Sequence, residues 1–140
     1  MAGRGSQGLT ITELIVCMAI LAVLLAIASP LIGQVTSVYK LHGAARELAA
    51  DLQFARLLAV KENKSYQVVC SSQSYQVVRV SDGLVAKARS FSVDYPEVSL
   101  NAPTITFNSR GISSSSTVMV SNFATTKNIK VDYTGRVKLQ

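Results

Sequence analysis

A single carboxylate, Glu13, stands at the start of a long apolar run near the amino terminus. The stretch GLTITELIVCMAILAVLLAIASPLI, residues 8–32, contains no other charged residue. A carboxylate at the centre of a membrane span costs about 2.5–3.5 kcal/mol and is usually retained for a partner. An acid in the first turn of a helix is also favoured by the helix dipole alone. The position of Glu13 therefore permits two interpretations, a buried ion pair or a helix-end charge.

The apolar run itself, Leu14–Ile32, contains 19 residues. As a helix rising ~1.5 Å per residue, it matches the ~30 Å hydrocarbon core of a bilayer. A membrane anchor is one interpretation. A secretory signal is the other, because Arg4 precedes the run and Ala26-Ile27-Ala28 forms an A-x-A cleavage pattern. Cleavage there would discard Glu13 together with the helix, whereas an anchor would keep it.

Basic residues near the carboxyl terminus have the chemistry to bind phosphates. Residues 105–140 contain one acidic residue, Asp132, and five basic residues: Arg110, Lys127, Lys130, Arg136 and Lys138. On a hairpin, Lys130 and Asp132 share strand parity, and so do Arg136 and Lys138. Cations on an exposed ribbon can neutralise phosphates without reading bases. The same residues can instead protect an edge strand from aggregation, so both roles stay open.

Other chemistry has little support in the sequence. The formal net charge of +6 permits contact with acidic partners without requiring it. The only histidine is His42, and Cys17 lies in the apolar run far from Cys70, so we predict no disulfide and no metal site. No paired-carboxylate motif, phosphate loop or serine–histidine arrangement is present. We therefore predict that the chain is not an enzyme and needs no cofactor.

The elements that carry these residues follow from periodicity. One apolar stripe recurs at helical spacing: Leu41, Ala45, Leu48, Leu52, Ala55 and Ala59. We predict an amphipathic helix from about residue 35 to 62 that packs this stripe on a sheet, with Arg46, Glu47, Asp51 and Arg56 off the stripe. Pro30, which lacks a backbone N–H, predicts a kink or opening further upstream.

β-Branched and aromatic residues predict strands over the rest of the chain, about 65–140. SYQVVC and SYQVVRV, residues 65–70 and 74–80, are typical of a hairpin. Further strands are predicted near 84–91, 98–100, 105–107, 117–120, 128–133 and 136–139. Glycines and prolines separate these segments.

The amino-terminal pattern, Gly8 followed by LTITE and an apolar helix, resembles the class III leader of type IV pilins and type II secretion pseudopilins. The resemblance implies that a prepilin peptidase cleaves between Gly8 and Leu9 and methylates the new amino terminus of Leu9. Glu13 then becomes the fifth mature residue and pairs with the Leu9 amine of another subunit. Pro30 becomes the helix-bending proline of many members. The chain departs from the family in having Leu9 where phenylalanine is usual, and in carrying Arg4 as the leader's only charged side chain.

The segment ELAADLQFARLLAVKEN, Glu47–Asn63, resembles the GspH/FimT branch of pseudopilins and minor pilins, through Leu52, the Ala55-Arg56 pair and the closing Lys61-Glu62-Asn63. The resemblance implies an α+β, type IV pilin-like fold, in which a long amino-terminal helix packs on an antiparallel β-sheet domain. It also implies a leader peptide at residues 1–8, a transmembrane and assembly helix at 9–33, and a globular domain at 34–140.

The resemblance further implies a structural subunit near the tip of a type IV pilus or type II secretion pseudopilus, without choosing between the two. Its partners would be other pilins or pseudopilins, the prepilin peptidase and the inner-membrane assembly platform. It would span the bacterial inner membrane once, with its domain in the periplasm, before entering the filament. TGRVKLQ, residues 134–140, loosely resembles the basic tail of DNA-binding minor pilins, so the alternative is a minor pilin that binds double-stranded DNA for natural transformation.

Overall fold

The computed structural model describes residues 10–140, including their side chains except those of residues 28–35. The elements in chain order are α1 (Ile11–Glu62), β1 (Tyr66–Cys70), β2 (Ser74–Arg79), β3 (Val85–Ser90), β4 (Ser99–Asn101), β5 (Ile105–Phe107), β6 (Ser116–Ser121), β7 (Thr126–Val131) and β8 (Val137–Leu139). The chain divides into two compact units, Met1–Val35 and Thr36–Gln140. Each unit contains part of α1.

In the first unit, Thr10 caps the start of α1. Its Oγ1 accepts a hydrogen bond from the Glu13 N–H at 3.3 Å, and its carbonyl accepts one from the Leu14 N–H at 3.1 Å. A threonine at this position satisfies a backbone donor that the first helical turn leaves unpaired. Every side chain from Ile11 to Ile27 is exposed. The described part of this unit therefore presents an apolar surface and contains no core.

Within residues 10–27 and 36–140, no helical stretch is long and apolar enough to be assigned as a membrane span. The predicted span, residues 9–33, includes residues whose side chains lie outside the described part, and it stays a prediction.

The second unit contains two four-stranded antiparallel sheets. The first has the order β3-β2-β1-β5 and the second the order β4-β6-β7-β8. Each predicted strand is present with ends within two residues of the prediction, so the α+β prediction is confirmed. The sequence does not predict the division into two sheets, because strand pairing between distant segments depends on contacts that local patterns do not reveal.

The core of the second unit lies under the predicted apolar stripe, which is confirmed. All six stripe residues are fully buried, together with Ala44. Alternate side chains of the strands face them, for example Tyr66 and Val68 on β1 and Ile129 and Val131 on β7. Every hydrophobic residue of this core falls between residues 41 and 131. We therefore expect residues 36–140 to fold without the first unit.

The prediction that Asp51 lies off the stripe is wrong, because its side chain is buried with 5% exposure. Position 51 follows Leu48 by three residues and precedes Ala55 by four, so it shares their helical face. The Tyr75 hydroxyl donates to Asp51 Oδ2 at 2.7 Å, and Lys87 Nζ donates to Oδ1 at 2.6 Å. The buried carboxylate is therefore satisfied by one hydroxyl and one ammonium group.

Lys87 belongs to a second, related feature of the edge strand β3. Lys87 and Arg89 pair in register with the buried Val77 and Tyr75, so both occupy core-facing positions. Arg89 Nε lies 2.5 Å from a Glu47 carboxylate oxygen on α1. Charged side chains pointing inward from an edge strand oppose pairing with a further strand. The helix acids thus stabilise an edge that resists aggregation.

Candidate functional site

The first candidate site is the head of α1, where Glu13 stands on an apolar helical surface. Its side chain is exposed, and no cation within residues 10–27 and 36–140 forms an ion pair with it. Of the other residues predicted for this site, Gly8 and Leu9 lie outside the described residues. Pro30 belongs to the segment 28–35, whose side chains are not described. The structure therefore leaves the predicted cleavage site and kink untested.

The position of Glu13 permits both interpretations that the sequence left open. As the acid of the first turn, it lies at the positive end of the helix dipole. The large apolar side chains around it are more than half exposed, from Leu14 at 54% to Ile11 at 76%. A contiguous apolar surface of this kind marks a site of contact with lipid or protein. Burying that surface would also remove Glu13 from water and favour a cationic partner.

The second candidate site is the hairpin of β7 and β8, which brings together two of the predicted cations. Lys130 and Lys138 are directly opposite each other in the register. Lys138 Nζ lies 3.0 Å from Asp132 Oδ2, and this hydrogen bond holds the pKa of the Asp132 carboxyl below its usual value. Lys127 is placed differently, because it pairs with the buried Val120 and shares the strand parity of the core residues. The outward face of the hairpin thus carries Lys130 and Lys138 without Lys127.

The remaining two cations, Arg110 and Arg136, lie in or beside turns that meet. Each turn contains a glycine of positive φ, Gly111 at 73° and Gly135 at 74°. Each closes with a hydrogen bond from the glycine N–H, to the carbonyl of Asn108 or of Asp132, both at 2.8 Å. A Cβ atom on Gly135 would overlap the Gly111 carbonyl oxygen. The close approach of the turns therefore brings the backbones of both arginines to one end of the unit.

Arg56 of α1 holds this junction. Its Nε donates a hydrogen bond of 3.1 Å to the Gly111 carbonyl, and its side chain lies against the position of a Cβ on Gly135. Beside it, a cleft of about 510 Å³ lies between α1 and the start of β8, lined by Gln53, Arg56, Leu57, Val60, Arg136 and Val137. Sequence reasoning places Arg56 off the apolar stripe and in an Ala-Arg pair. No local signal predicts a contact with a residue 55 positions away.

The junction gives a structural reason for two motifs quoted from the sequence. In Ala55-Arg56, the alanine is fully buried and the arginine bonds the Gly111 turn. In Gly135-Arg136, the glycine is required by its φ and by the approach of Gly111, while Arg136 is exposed. Each pair thus combines one residue fixed by packing with one arginine. The packing of the two turns therefore explains the glycine of TGRVKLQ, and no ligand is needed to explain it.

Comparison with known proteins gives two family matches. Residues 44–135 match the model of the type II transport protein GspH, and residues 3–29 match the prokaryotic N-terminal methylation motif. No curated protein sequence matches the chain significantly.

Solved structures share the fold at low sequence identity. The type IV minor pilin FimU of Pseudomonas aeruginosa, in one crystal form, is 18% identical with a TM-score of 0.63, covering 75% of this chain and 91% of FimU. The minor pseudopilin EpsH of the Vibrio cholerae type 2 secretion system is 11% identical with a TM-score of 0.60, covering 72% of this chain and 96% of EpsH. Both likenesses concern the fold alone.

Proposed function

The chain belongs to the GspH family of type II transport proteins, and from this premise we propose that it is a structural subunit of a type IV pilus or a type II secretion pseudopilus. The predicted resemblance to GspH/FimT-like minor pilins and pseudopilins is confirmed, and so is the pilin-like fold. In this proposal, the second unit is the globular domain and α1 supplies the contacts that hold the subunit in the filament.

The observation that carries the proposal is the exposed apolar helix Ile11–Ile27, headed by Glu13 and included in the match to the methylation motif. Such a surface needs lipid or other helices around it. We propose that prepilin peptidase cuts between Gly8 and Leu9 and that Leu9 is methylated. The new amine of a neighbouring subunit then pairs with Glu13 as the helix leaves the membrane. Pro30 supplies a joint that lets the helix adjust its length in the filament.

The proposed route begins at the bacterial inner membrane, with residues 9–33 as the single span and residues 34–140 in the periplasm. The inner-membrane assembly platform then inserts the subunit among other pilins or pseudopilins near the filament tip. In this role the chain recognises protein surfaces and needs no cofactor. Lipid tails already keep the apolar helix out of water, so van der Waals packing between helices and a cationic partner for Glu13 are the contacts that favour the filament.

Processing is tested by measuring the mass of the chain purified from membranes of bacteria that contain prepilin peptidase. We expect loss of residues 1–8 and the addition of one methyl group. Loss of residues 1–28 would show a cleaved secretory signal and overturn the proposal.

Incorporation is tested with Glu13→Val, which we expect to stay in the membrane but to be depleted from sheared filaments. Thr12→Val, on the same helical turn, is the matched control and should be incorporated normally.

A second candidate function is binding of double-stranded DNA by a minor pilin serving natural transformation. The cross-strand pair Lys130 and Lys138 favours it, together with the nearby Arg110 and Arg136. The ion pair of Lys138 with Asp132 reduces the charge available to phosphates. Lys127 belongs to the opposite face and would contribute less. This candidate adds a ligand to the same subunit and is compatible with the first.

A further inference from the structure

The three most exposed large apolar side chains described in the second unit belong to segments that meet around one part of α1. They are Phe123 with 96% of its surface exposed, Val93 with 85% and Tyr39 with 72%. Tyr39 belongs to α1, Val93 to the loop between β3 and β4, and Phe123 to the loop between β6 and β7. Both loops are bonded to Ser37, two residues before Tyr39. We call this region the Ser37 surface.

The loop that carries Phe123 is held in a fixed shape. Asn122 Oδ1 accepts hydrogen bonds from the N–H groups of Ala124 at 3.0 Å and Thr125 at 2.8 Å. Asn122 Nδ2 donates to the Ser37 carbonyl at 2.9 Å. A single asparagine therefore both shapes the loop and attaches it to α1. The aromatic ring therefore extends into solvent from a loop that these hydrogen bonds hold in place.

The loop that carries Val93 is attached to α1 at two points. Ser37 Oγ donates to Glu97 Oε2 at 2.9 Å. The Tyr95 ring packs where a side chain on Gly43 would lie, with its hydroxyl 3.1 Å from an ideal Cβ at that position. Tyr95 also makes an edge-to-face contact with the buried Phe91. The glycine thus lets the loop pack closely against α1, and Val93 stays outside this packing.

The charged residues that α1 contributes to the Ser37 surface are the cations Lys40 and Arg46. Tyr39, His42 and Arg46 line one groove of about 470 Å³ on α1, and Lys40 lies on the same two turns. In the neighbouring loop Asp94 pairs with Arg89, whereas Glu97 accepts a hydrogen bond from the neutral Ser37 hydroxyl and keeps its charge. Exposed aromatic rings beside cations are typical of the interface between a bilayer and water. The cations complement the phosphate groups of anionic lipids.

We propose that the Ser37 surface rests on the headgroup layer of the membrane that anchors the chain, with Phe123, Val93 and Tyr39 inserted among the lipids. The inference rests on the proposed membrane anchoring of residues 9–33. Ser37 follows Gly33 by four residues, and a chain spans at most ~3.6 Å per residue, so Ser37 lies within about 14 Å of the end of the span in any conformation. The headgroup layer lies within that distance. A lipid surface is therefore within reach of the Ser37 surface.

The test uses the full-length chain in vesicles of phosphatidylethanolamine and phosphatidylglycerol. The sequence contains no tryptophan, so Phe123→Trp introduces a single tryptophan, whose emission can be excited apart from that of the tyrosines. We expect its emission to shift to the blue in vesicles and to be quenched by lipids brominated near the headgroup. Leu57→Trp is the matched control, because Leu57 is also exposed on the second unit but lies 20 residues beyond Ser37 on α1. Its emission should not be quenched.

Vesicle flotation after an alkaline wash tests the membrane anchoring of residues 9–33 separately from the lipid contact of the Ser37 surface. If both variants float with the vesicles and Phe123→Trp is quenched no more than Leu57→Trp, the anchor stands and the lipid contact is overturned. If the emission of Phe123→Trp shifts to the blue only at high protein density and without quenching, a second copy covers the surface, which also overturns the lipid contact. If the chain does not float, the membrane anchoring is wrong and the inference falls with it. Quenching of Phe123→Trp alone, in chains that float, supports the proposal.

Discussion

The Arg56 guanidinium donates a hydrogen bond of 3.1 Å to the carbonyl oxygen of Gly111, and so joins α1 to the turn after β5. The same carbonyl oxygen lies against Gly135 in the turn before β8. Three segments that are distant in the sequence therefore meet at one polar contact. The carboxyl-terminal hairpin is positioned by this junction as well as by the pairing of its strands.

Gly135→Ala should destabilise residues 36–140 strongly, because the new Cβ overlaps a backbone atom that cannot move freely. A residue with a side chain at positive φ costs about 1–2 kcal/mol, and overpacking adds about 1–3 kcal/mol. We expect the free energy of unfolding, measured in urea, to fall by about 2–5 kcal/mol. Gly83→Ala is the matched control, since Gly83 has a φ of 70° but nothing within 4 Å of its ideal Cβ. Gly83→Ala should lose only the about 1–2 kcal/mol that a side chain at positive φ costs. An equal loss of stability in Gly83→Ala and Gly135→Ala would contradict the role of the junction.

Asp51→Ala should destabilise the second unit because it leaves the Tyr75 hydroxyl buried without an acceptor and Lys87 without its partner. An unsatisfied buried donor costs about 1–3 kcal/mol. Asp51→Asn keeps an oxygen for Tyr75 and should lose less. Thermal unfolding of residues 36–140 measures both. Arg46→Ala, at an exposed position on the same helix, should stay within about 0.5 kcal/mol of the parent. A similar small change in Asp51→Ala would show that the buried carboxylate is dispensable.

A comparison of the predicted with the observed positions of these residues shows which parts of the structure are determined by local sequence patterns. The stripe from Leu41 to Ala59 and the strand positions are predictable because periodicity reports which face is buried. The burial of Asp51 is predicted wrongly if the prediction follows its charge. Its spacing from Leu48 places it on the buried face. Lys87 and Arg89 alternate on β3, a pattern typical of an edge strand with inward charges. The contact of Gly111 with Gly135 depends on how two sheets meet, and no local pattern encodes it.

The candidate sites also differ in how far local sequence patterns predict them. Glu13 can be singled out because one charge in an apolar run is visible in the sequence itself. The grouping of the basic residues is only partly predictable, since parity relates Lys130 to Asp132, but the predicted strand begins at residue 128 and leaves Lys127 out. The Ser37 surface is not predictable, because its three exposed apolar residues are far apart along the chain. The hydrogen bonds of Asn122 and Glu97 with Ser37, and the packing of Tyr95 at Gly43, bring their loops to α1.

Acid should weaken the second unit partly through Glu62 at the end of α1. The Tyr66 hydroxyl donates to Glu62 Oε2 at 2.6 Å and Arg79 Nη2 donates to the same oxygen at 2.6 Å. The bond from Tyr66, with the nearby charge of Arg79, lowers the pKa of Glu62 from its usual 4.5. A carboxyl whose pKa is lower in the folded state stabilises the fold above the unfolded pKa. That contribution is lost as the pH falls from about 4.5 through the folded pKa.

Glu62→Gln should therefore flatten the fall in stability of residues 36–140 below about pH 4.5. Urea unfolding midpoints across a pH series measure this slope. Tyr66→Phe, which removes the strongest stabiliser of the ionised form, should flatten it partly. A slope in Glu62→Gln as steep as in the parent would show that other carboxylates account for the acid sensitivity.

DNA binding by the carboxyl-terminal hairpin can be separated from general attraction to a basic protein. Lys130 and Arg136 form no ion pair within the described part of the chain, whereas Lys138 is paired with Asp132. Lys130→Ala/Arg136→Ala should therefore weaken binding of double-stranded DNA to residues 36–140 and reduce the salt slope of log K by about 1.8, since each phosphate contact contributes about 0.9. Lys61→Ala/Lys64→Ala removes the same charge at the end of α1 and just after it, and should leave the slope almost unchanged. Fluorescence anisotropy over a salt series measures both variants. Equal reductions would mean that net charge alone attracts DNA, and no binding of the parent at low salt would leave the hairpin cations as protection for the β8 edge.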